Sequence, residues 1–218
     1  MFLVGIFTWS VFDSENYFDA FAPYKESLAA AGQATSTLQT TVGASLTLSL
    51  DDASTVSLGT ISAGTAVTAS NRLKVSTNNS TGYNITAGRN NFINSDTLFS
   101  AFGSLTIDDA GIPTHTTGCT TPLTWAAAST GLGFTIFLTD ADNPAKVTSC
   151  WGAGSTVSDA ANKYAAFAAS ASATTIINQA DNSPNPQYTS IGYKADVAAA
   201  QTATTYNNGS VVYTATSN

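Results

Sequence analysis

The chain has 218 residues, 43% of them hydrophobic, which rules out a disordered tail and suits one large domain with or without an appended segment. Only 10% of the residues are charged, against about 25% in ordinary soluble domains. Seven basic residues stand against fourteen acidic ones, for a net charge of −7, and the basic residues are scattered. No stripe exists to neutralise phosphates, so nucleic acid is not an expected partner.

Thr, Ser, Ala and Asn fill the place of the missing charges. A surface of small hydroxyls and amides can pack against copies of itself without stranding a buried charge, which would be costly. That composition suits an assembly protein.

The first twelve residues, MFLVGIFTWSVF, form the most apolar stretch and end abruptly at Asp13. A bilayer span takes about 20 apolar residues, so no transmembrane span is expected here. No Lys or Arg precedes the run and no small-residue cleavage site follows it, which is unlike a signal peptide. The expectation is an export signal already removed or a late start. As a strand, Phe2, Val4, Ile6 and Phe12 share one face with Thr8 and Ser10. Leu3, Phe7, Trp9 and Val11 share the other with Gly5. Both faces are apolar, as in a strand buried on both sides; as a helix the segment is apolar all round. It is buried either in its own subunit's core or in a neighbour. Phe2, Leu3, Val4, Ile6, Phe7, Trp9, Val11 and Phe12 are therefore the candidate assembly residues.

Residues 13–34 read as a short helix. Asp13 or Ser14 caps it, Gly32 sits at the C-cap position, and Tyr17, Phe18, Phe21, Tyr24 and Leu28 form an aromatic face that Pro23 kinks. From 35 to 218 the pattern switches to period two, which predicts a β-sandwich domain, Ig-like or jelly-roll-like, in a mainly β chain. The strand signals are Leu46, Leu48 and Leu50, then Val56 and Leu58, Leu73 and Val75, Tyr83 and Ile85, Leu105 and Ile107. Phe134, Ile136 and Leu138 follow, then Ile191 with Tyr193, and Val211 with Tyr213. SAGT at 62–65 and NNSTG at 78–82 are turn signals. The sequence from 108 to 172 is less regular and reads as a disulfide-tied insert decorating one end or edge, with a helix over 158–172 that turns Tyr164 and Phe167 or Ala168 inward.

Cys119 and Cys150 predict one disulfide in an oxidising compartment. Its loop length corresponds to about 3.7 kcal/mol on the chain-entropy account. His115 is the only histidine and lies in GIPTHTTGC, a loop sequence that places it at the surface. No nucleophile elbow, phosphate loop or dinucleotide fingerprint occurs, and Gly131-Leu132-Gly133 introduces a strand. Catalytic residues are not assigned, and no cofactor is expected. Asp140, Asp142 and Asn143 offer alternate oxygen ligands, the chemistry calcium takes. Without the full calcium loop and its terminal Glu, solvated turn residues are expected there and no metal is assigned. Sequons stand at Asn78, Asn79, Asn84 and Asn208 as possible glycosylation sites.

Two stretches carry a family resemblance. LTLSLDDASTVSLGTISAGTAVTASNRLKVSTNNSTGYNIT resembles the opening strands of secreted bacterial surface proteins, and YKADVAAAQTATTYNNGSVVYTATSN resembles their closing hairpin. Similar organisation occurs in TasA-like biofilm fibre subunits and in pilins of the spore-coat-U, chaperone–usher type. The resemblance covers about a third of the chain and departs from the pattern at the aromatic helix and the insert. It implies an extracellular sandwich that polymerises by strand exchange. Type IV pilins are a more distant likeness, since the apolar run is short and Gly5 stands where that family has an acidic residue.

These observations predict a structural subunit of a cell-surface filament or pilus, not an enzyme, whose partners are copies of itself and possible further ones surface proteins or glycans. The alternative is a surface adhesin or carbohydrate-binding module. In that reading Trp125 and Trp151 stack on sugar rings with Tyr83 and Tyr206, set against Trp151 packing on the 119–150 bridge.

Overall fold

The computed structural model describes residues 39–91, 96–100, 105–109, 113–116, 122–126, 129–139, 146–181 and 186–218. The chain divides into two units, Met1–Val42 and Gly43–Asn218. The predicted assembly segment, the helix over 13–34 and the boundary at 34/35 all lie outside the described residues.

The second unit is a β-sandwich. Its larger sheet holds β1 (Leu46–Leu50), β2 (Val67–Thr77), β7 (Gly131–Thr139) and β10 (Gln187–Asp196) in the order β1-β2-β10-β7. The smaller holds β3 (Tyr83–Asn91), β9 (Thr174–Gln179) and β11 (Ser210–Ser217) in the order β11-β3-β9. Every pairing within both sheets is antiparallel. Two short pairs, β4 (Leu98–Phe99) with β5 (Thr106–Ile107) and β6 (Leu123–Thr124) with β8 (Lys163–Tyr164), lie in the irregular region.

Period-two patterning accounts for the layers, because alternate side chains leave opposite faces of a strand. Leu73 and Val75 on β2, Tyr83, Ile85 and Ala87 on β3, and Ile191, Tyr193 and Ala195 on β10 point into one core. Arg72, Ser76 and Thr86 take the opposite faces. The NNSTG turn carries the chain from one sheet to the other. There Gly82 has φ +78°, and its N–H donates to the Asn79 carbonyl at 3.1 Å.

Four sequence expectations need correction. Val56 and Leu58 lie in no strand: among the described residues, 51–66 carries only the Ser62–Thr65 bridge. Both side chains still pack half-buried on the core. Gly59, with φ +69°, interrupts the extended run, and its N–H turns back to the Ser57 hydroxyl. Leu138 is 48% exposed, because the β7–β10 register shifts between Ser190 and Ile191 and the extra residue inverts the alternation after Ile136.

The helix over 158–172 does not form. Asp159 instead accepts the N–H groups of Ala161 and Ser155 in a local turn that competes with helix. The alanines beyond it bridge strands: Ala165 pairs with Phe134, the Ala166 N–H donates to Pro113, and the Ala168 carbonyl accepts the Arg89 N–H. Small side chains allow that close approach. Tyr164, Phe167 and Ala168 do turn inward.

Nor does this region merely decorate an edge. The four-residue helix α1 (Thr148–Trp151) and the 165–167 segment place Cys150, Trp151, Ala165 and Phe167 in the central core. Phe167 stacks on Phe134 with ring centroids 4.1 Å apart, and Trp151 tilts against Phe134 at 5.1 Å.

Candidate assembly cleft

The end strands β1 and β11 of the two sheets lie against each other along one side of the sandwich. Among the described residues, β1 pairs only with β2 and β11 only with β3, so each ends its sheet with one unpaired edge. Such edges carry free N–H and C=O groups that can pair with another chain. Beside the start of β11 lies a cleft of about 910 Å³. It is lined by residues 54–61, by the 197–207 segment, by Ser210, Val211 and Tyr213, and by Leu132, Phe167 and Tyr193. No Asp, Glu, Lys or Arg lines it, although the chain has 21 such residues by the counts of 14 acidic and 7 basic.

Some of its polar groups are paired with one another. The Tyr193 hydroxyl donates to Asn71 Oδ1 at 3.1 Å and meets the Tyr213 hydroxyl at 2.7 Å. Burial pushes the Tyr193 phenol up to about 12 and the Tyr213 phenol well above its ordinary value, so both stay neutral. At the mouth, Gln201 Nε2 donates to the Thr106 carbonyl at 2.8 Å, and the Tyr206 hydroxyl donates to the Thr202 carbonyl at 2.8 Å. A cleft lined by neutral side chains, apolar and hydroxyl-bearing together, favours an uncharged occupant over a charged one.

The other predicted residues fall elsewhere. His115 is 1% exposed, contrary to the surface loop expected. It stacks on Trp151 at 5.0 Å, and its Nδ1 lies 2.8 Å from the Thr174 hydroxyl. Burial lowers its pKa to about 4, which keeps it an uncharged part of the aromatic core. A loop sequence conceals this because the contact is with α1, remote in sequence. Trp151 and Tyr83 are fully buried and have no face for a sugar. Trp125 is half-buried, edge-on to Tyr164 at 5.4 Å, with Lys194 Nζ 5.4 Å from its ring. Tyr206 lines the cleft.

Two of the sequon amides are structural. Asn78 Nδ2 donates to the Gly43 carbonyl while its Oδ1 accepts the Ser45 N–H. Asn79 Nδ2 donates to Gly82, and its Oδ1 accepts the Thr81 hydroxyl. Asn84 Nδ2 donates to Asn218 Oδ1, and Asn208 is half-buried. Cys150 is buried and no free cysteine is found among the described residues, while Cys119 lies outside them. Asp140, Asp142 and Asn143 lie outside them too, and no group of three or more potential metal ligands occurs among those described. No described helix is long and apolar enough to cross a membrane.

One charged cluster escaped sequence reasoning. Asp109, 4% exposed, accepts the Thr97 N–H at 3.1 Å and the Thr97 hydroxyl at 2.8 Å, while its own N–H donates to Asp96 Oδ1 at 2.8 Å. Burial pushes its carboxyl up to about 7, against those hydrogen bonds; Asp96 adds to the rise and Arg89 opposes it. The DD pair at 108–109 was the signal, but which aspartate turns inward depends on the β4–β5 pairing.

No family model, curated protein or solved structure matches this chain.

Proposed function

We propose that this chain is the structural subunit of an extracellular filament, built from copies of itself by insertion of the apolar segment Phe2–Phe12 into a neighbouring sandwich. The observation that carries this reading is the uncharged cleft beside an unpaired strand edge. It complements that eleven-residue segment, which also has no charged side chain. Because donor and acceptor are different surfaces, the contact is head-to-tail and repeats without closing. The low charge fraction supports the same reading, since packed copies bury few ions. A Cys119–Cys150 bridge and a cell-surface location belong to this proposal. No enzymatic step is assigned to it.

The test is negative-stain electron microscopy of the purified chain beside Ile6→Asp. Filaments from the parent and monodisperse, folded particles from the variant are the expected pair of results. Equal polymer yield from both sinks the reading. A carbohydrate-binding role retains one observation in its favour, the half-buried indole of Trp125 beside Tyr164. Glycan binding that disappears in Trp125→Ala is the result that would advance it.

A further inference from the structure

The chain carries few charges, yet three of them meet in the interior. Asp96, Asp109 and Arg89 are 6%, 4% and 9% exposed. The two aspartates clasp the open end of the β4–β5 hairpin. Oδ2 of Asp109 accepts the N–H and the hydroxyl of Thr97, and the Asp109 N–H donates to Asp96 Oδ1. Oδ1 of Asp109 is buried and has no hydrogen-bond partner among the described residues. Arg89, on β3, attracts the Asp109 carboxylate, but its Nη1 already donates to the Phe167 carbonyl. Gly131 of β7 closes the other side, so near that an added Cβ would meet the Asp108 carbonyl oxygen. Asp196, opposite Gly131 on β10, accepts the Val197 N–H and brings no positive charge. The hairpin is also a wall of the cleft, which Thr97, Leu98 and Ile107 line. Each of its strands is two residues long. It is tied to the 197–210 segment by the Gln201 bond to Thr106, by the Asn208 N–H on the Phe99 carbonyl at 3.2 Å, and by the Ser100–Tyr206 bridge. So small a unit opens locally far more readily than the sandwich unfolds.

We infer that the Asp96–Asp109 clasp is a pH-sensitive latch on the cleft, closed over a protonated Asp109 and released when that carboxyl ionises. In the closed hairpin a protonated carboxyl leaves one oxygen without a partner. Ionisation puts a charge in the same dry place, beside a second carboxyl. One guanidinium against two carboxylates leaves a negative charge uncompensated, and burying such a charge is costly. Local opening returns the carboxylate to water. Burial holds the Asp109 proton up to about 7, so opening at lower pH releases it. The open population therefore rises with pH by up to about tenfold per unit and levels off once the closed form is itself ionised. The latch is independent of what occupies the cleft. It sets the pH at which one wall of the cleft becomes movable.

Hydrogen–deuterium exchange on the full-length chain between about pH 5 and about pH 8 reads the latch, each rate being divided by the intrinsic exchange rate at that pH. Protection of the 96–109 peptide is expected to fall at least tenfold across the range. The 197–210 peptide is expected to follow, because the Asn208 N–H loses the Phe99 carbonyl. The 187–196 peptide of β10 serves as the reference and is expected to keep its protection. Asp109→Asn is expected to flatten the profile. Asp96→Asn keeps an acceptor for the Asp109 N–H and removes the second carboxyl, so it is expected to shrink the change. A parent chain whose hairpin protection is constant over this range overturns the latch, whatever the variants do. An Asp109→Asn chain that follows the parent's profile overturns it too. So does a hairpin that loosens while the 197–210 peptide stays protected. No filament is needed for any of these readings, so failure of the filament proposal leaves the test intact.

Discussion

The hydroxyl groups of Tyr193 on β10 and Tyr213 on β11 meet at 2.7 Å, joining the two sheets of the sandwich by a polar bond at the edge of its apolar core. Tyr193 also donates to Asn71 on β2. The two tyrosines are therefore unequal. Tyr193→Phe removes both bonds and strands the Asn71 oxygen and the Tyr213 hydroxyl. Tyr213→Phe leaves the Tyr193–Asn71 bond in place. A buried polar group left unpaired costs about 1–3 kcal/mol. The urea midpoint is expected to fall more for Tyr193→Phe than for Tyr213→Phe; the reverse order contradicts this donor assignment. Both phenols are raised by burial, so the folded state holds their protons longer than the unfolded chain does. Their contribution is complete below pH 10 and falls as pH rises above it, through about 12 for Tyr193.

Asp109 and His115 act in opposite directions on acid stability. The Asp109 carboxyl rises from 3.8 to about 7 on folding, so its contribution is full below 3.8 and is lost as pH rises through 7. His115 falls from 6.5 to about 4, so its contribution is present above 6.5 and is lost as pH falls through 4. Between pH 4 and 6.5 the two slopes oppose each other. Relative to the parent, Asp109→Asn is expected to gain stability as pH rises across this window, and His115→Phe to lose it. Thermal midpoints at half-unit steps of pH measure both slopes, and variants that track the parent refute this account.

Gly82 is held at φ +78° in the turn between the sheets, and an added Cβ there would meet the Gln179 carbonyl oxygen. Backbone cannot yield as a flexible side chain does. Gly82→Ala is expected to cost more than the roughly 1–2 kcal/mol of a left-handed alanine alone. Gly59 also has positive φ but nothing within 4 Å of an added Cβ, so Gly59→Ala bears only the conformational cost. Denaturant titration of the pair separates clash from conformation. Equal losses would remove the clash from the explanation.

Reduction tests the proposed 119–150 bridge. Cys150 sits in the core beside Trp151 on α1, so freeing it is expected to loosen the aromatic cluster as well as lengthen the unfolded chain. A loss of up to about 3.7 kcal/mol in dithiothreitol is the chain-entropy expectation. Free-thiol titration of the oxidised chain should find none, and two reactive thiols would dispose of the bridge.

The strands that face one core were legible because alternation is a local property: LTLSL, LKV, YNI and VVY each declare an inward face within a few residues. The turns at 62–65 and 78–82 were legible for the same reason, since glycine and asparagine answer a backbone demand made on the spot. The tertiary structure decided the rest. TVSL has the alternation of a strand, but it acquires no partner, and only the sheet order shows that. The alanine-rich stretch after Asp159 has helical composition, yet its small side chains let backbone approach Phe134 and Arg89, contacts remote in sequence. His115 and Trp151 lie 36 positions apart by subtraction of their numbers, and their burial against each other could not be read from either neighbourhood. The apolar composition of residues 2–12 was plain from the start. The uncharged cleft beside β11 exists only once two sheets stack and one of them ends.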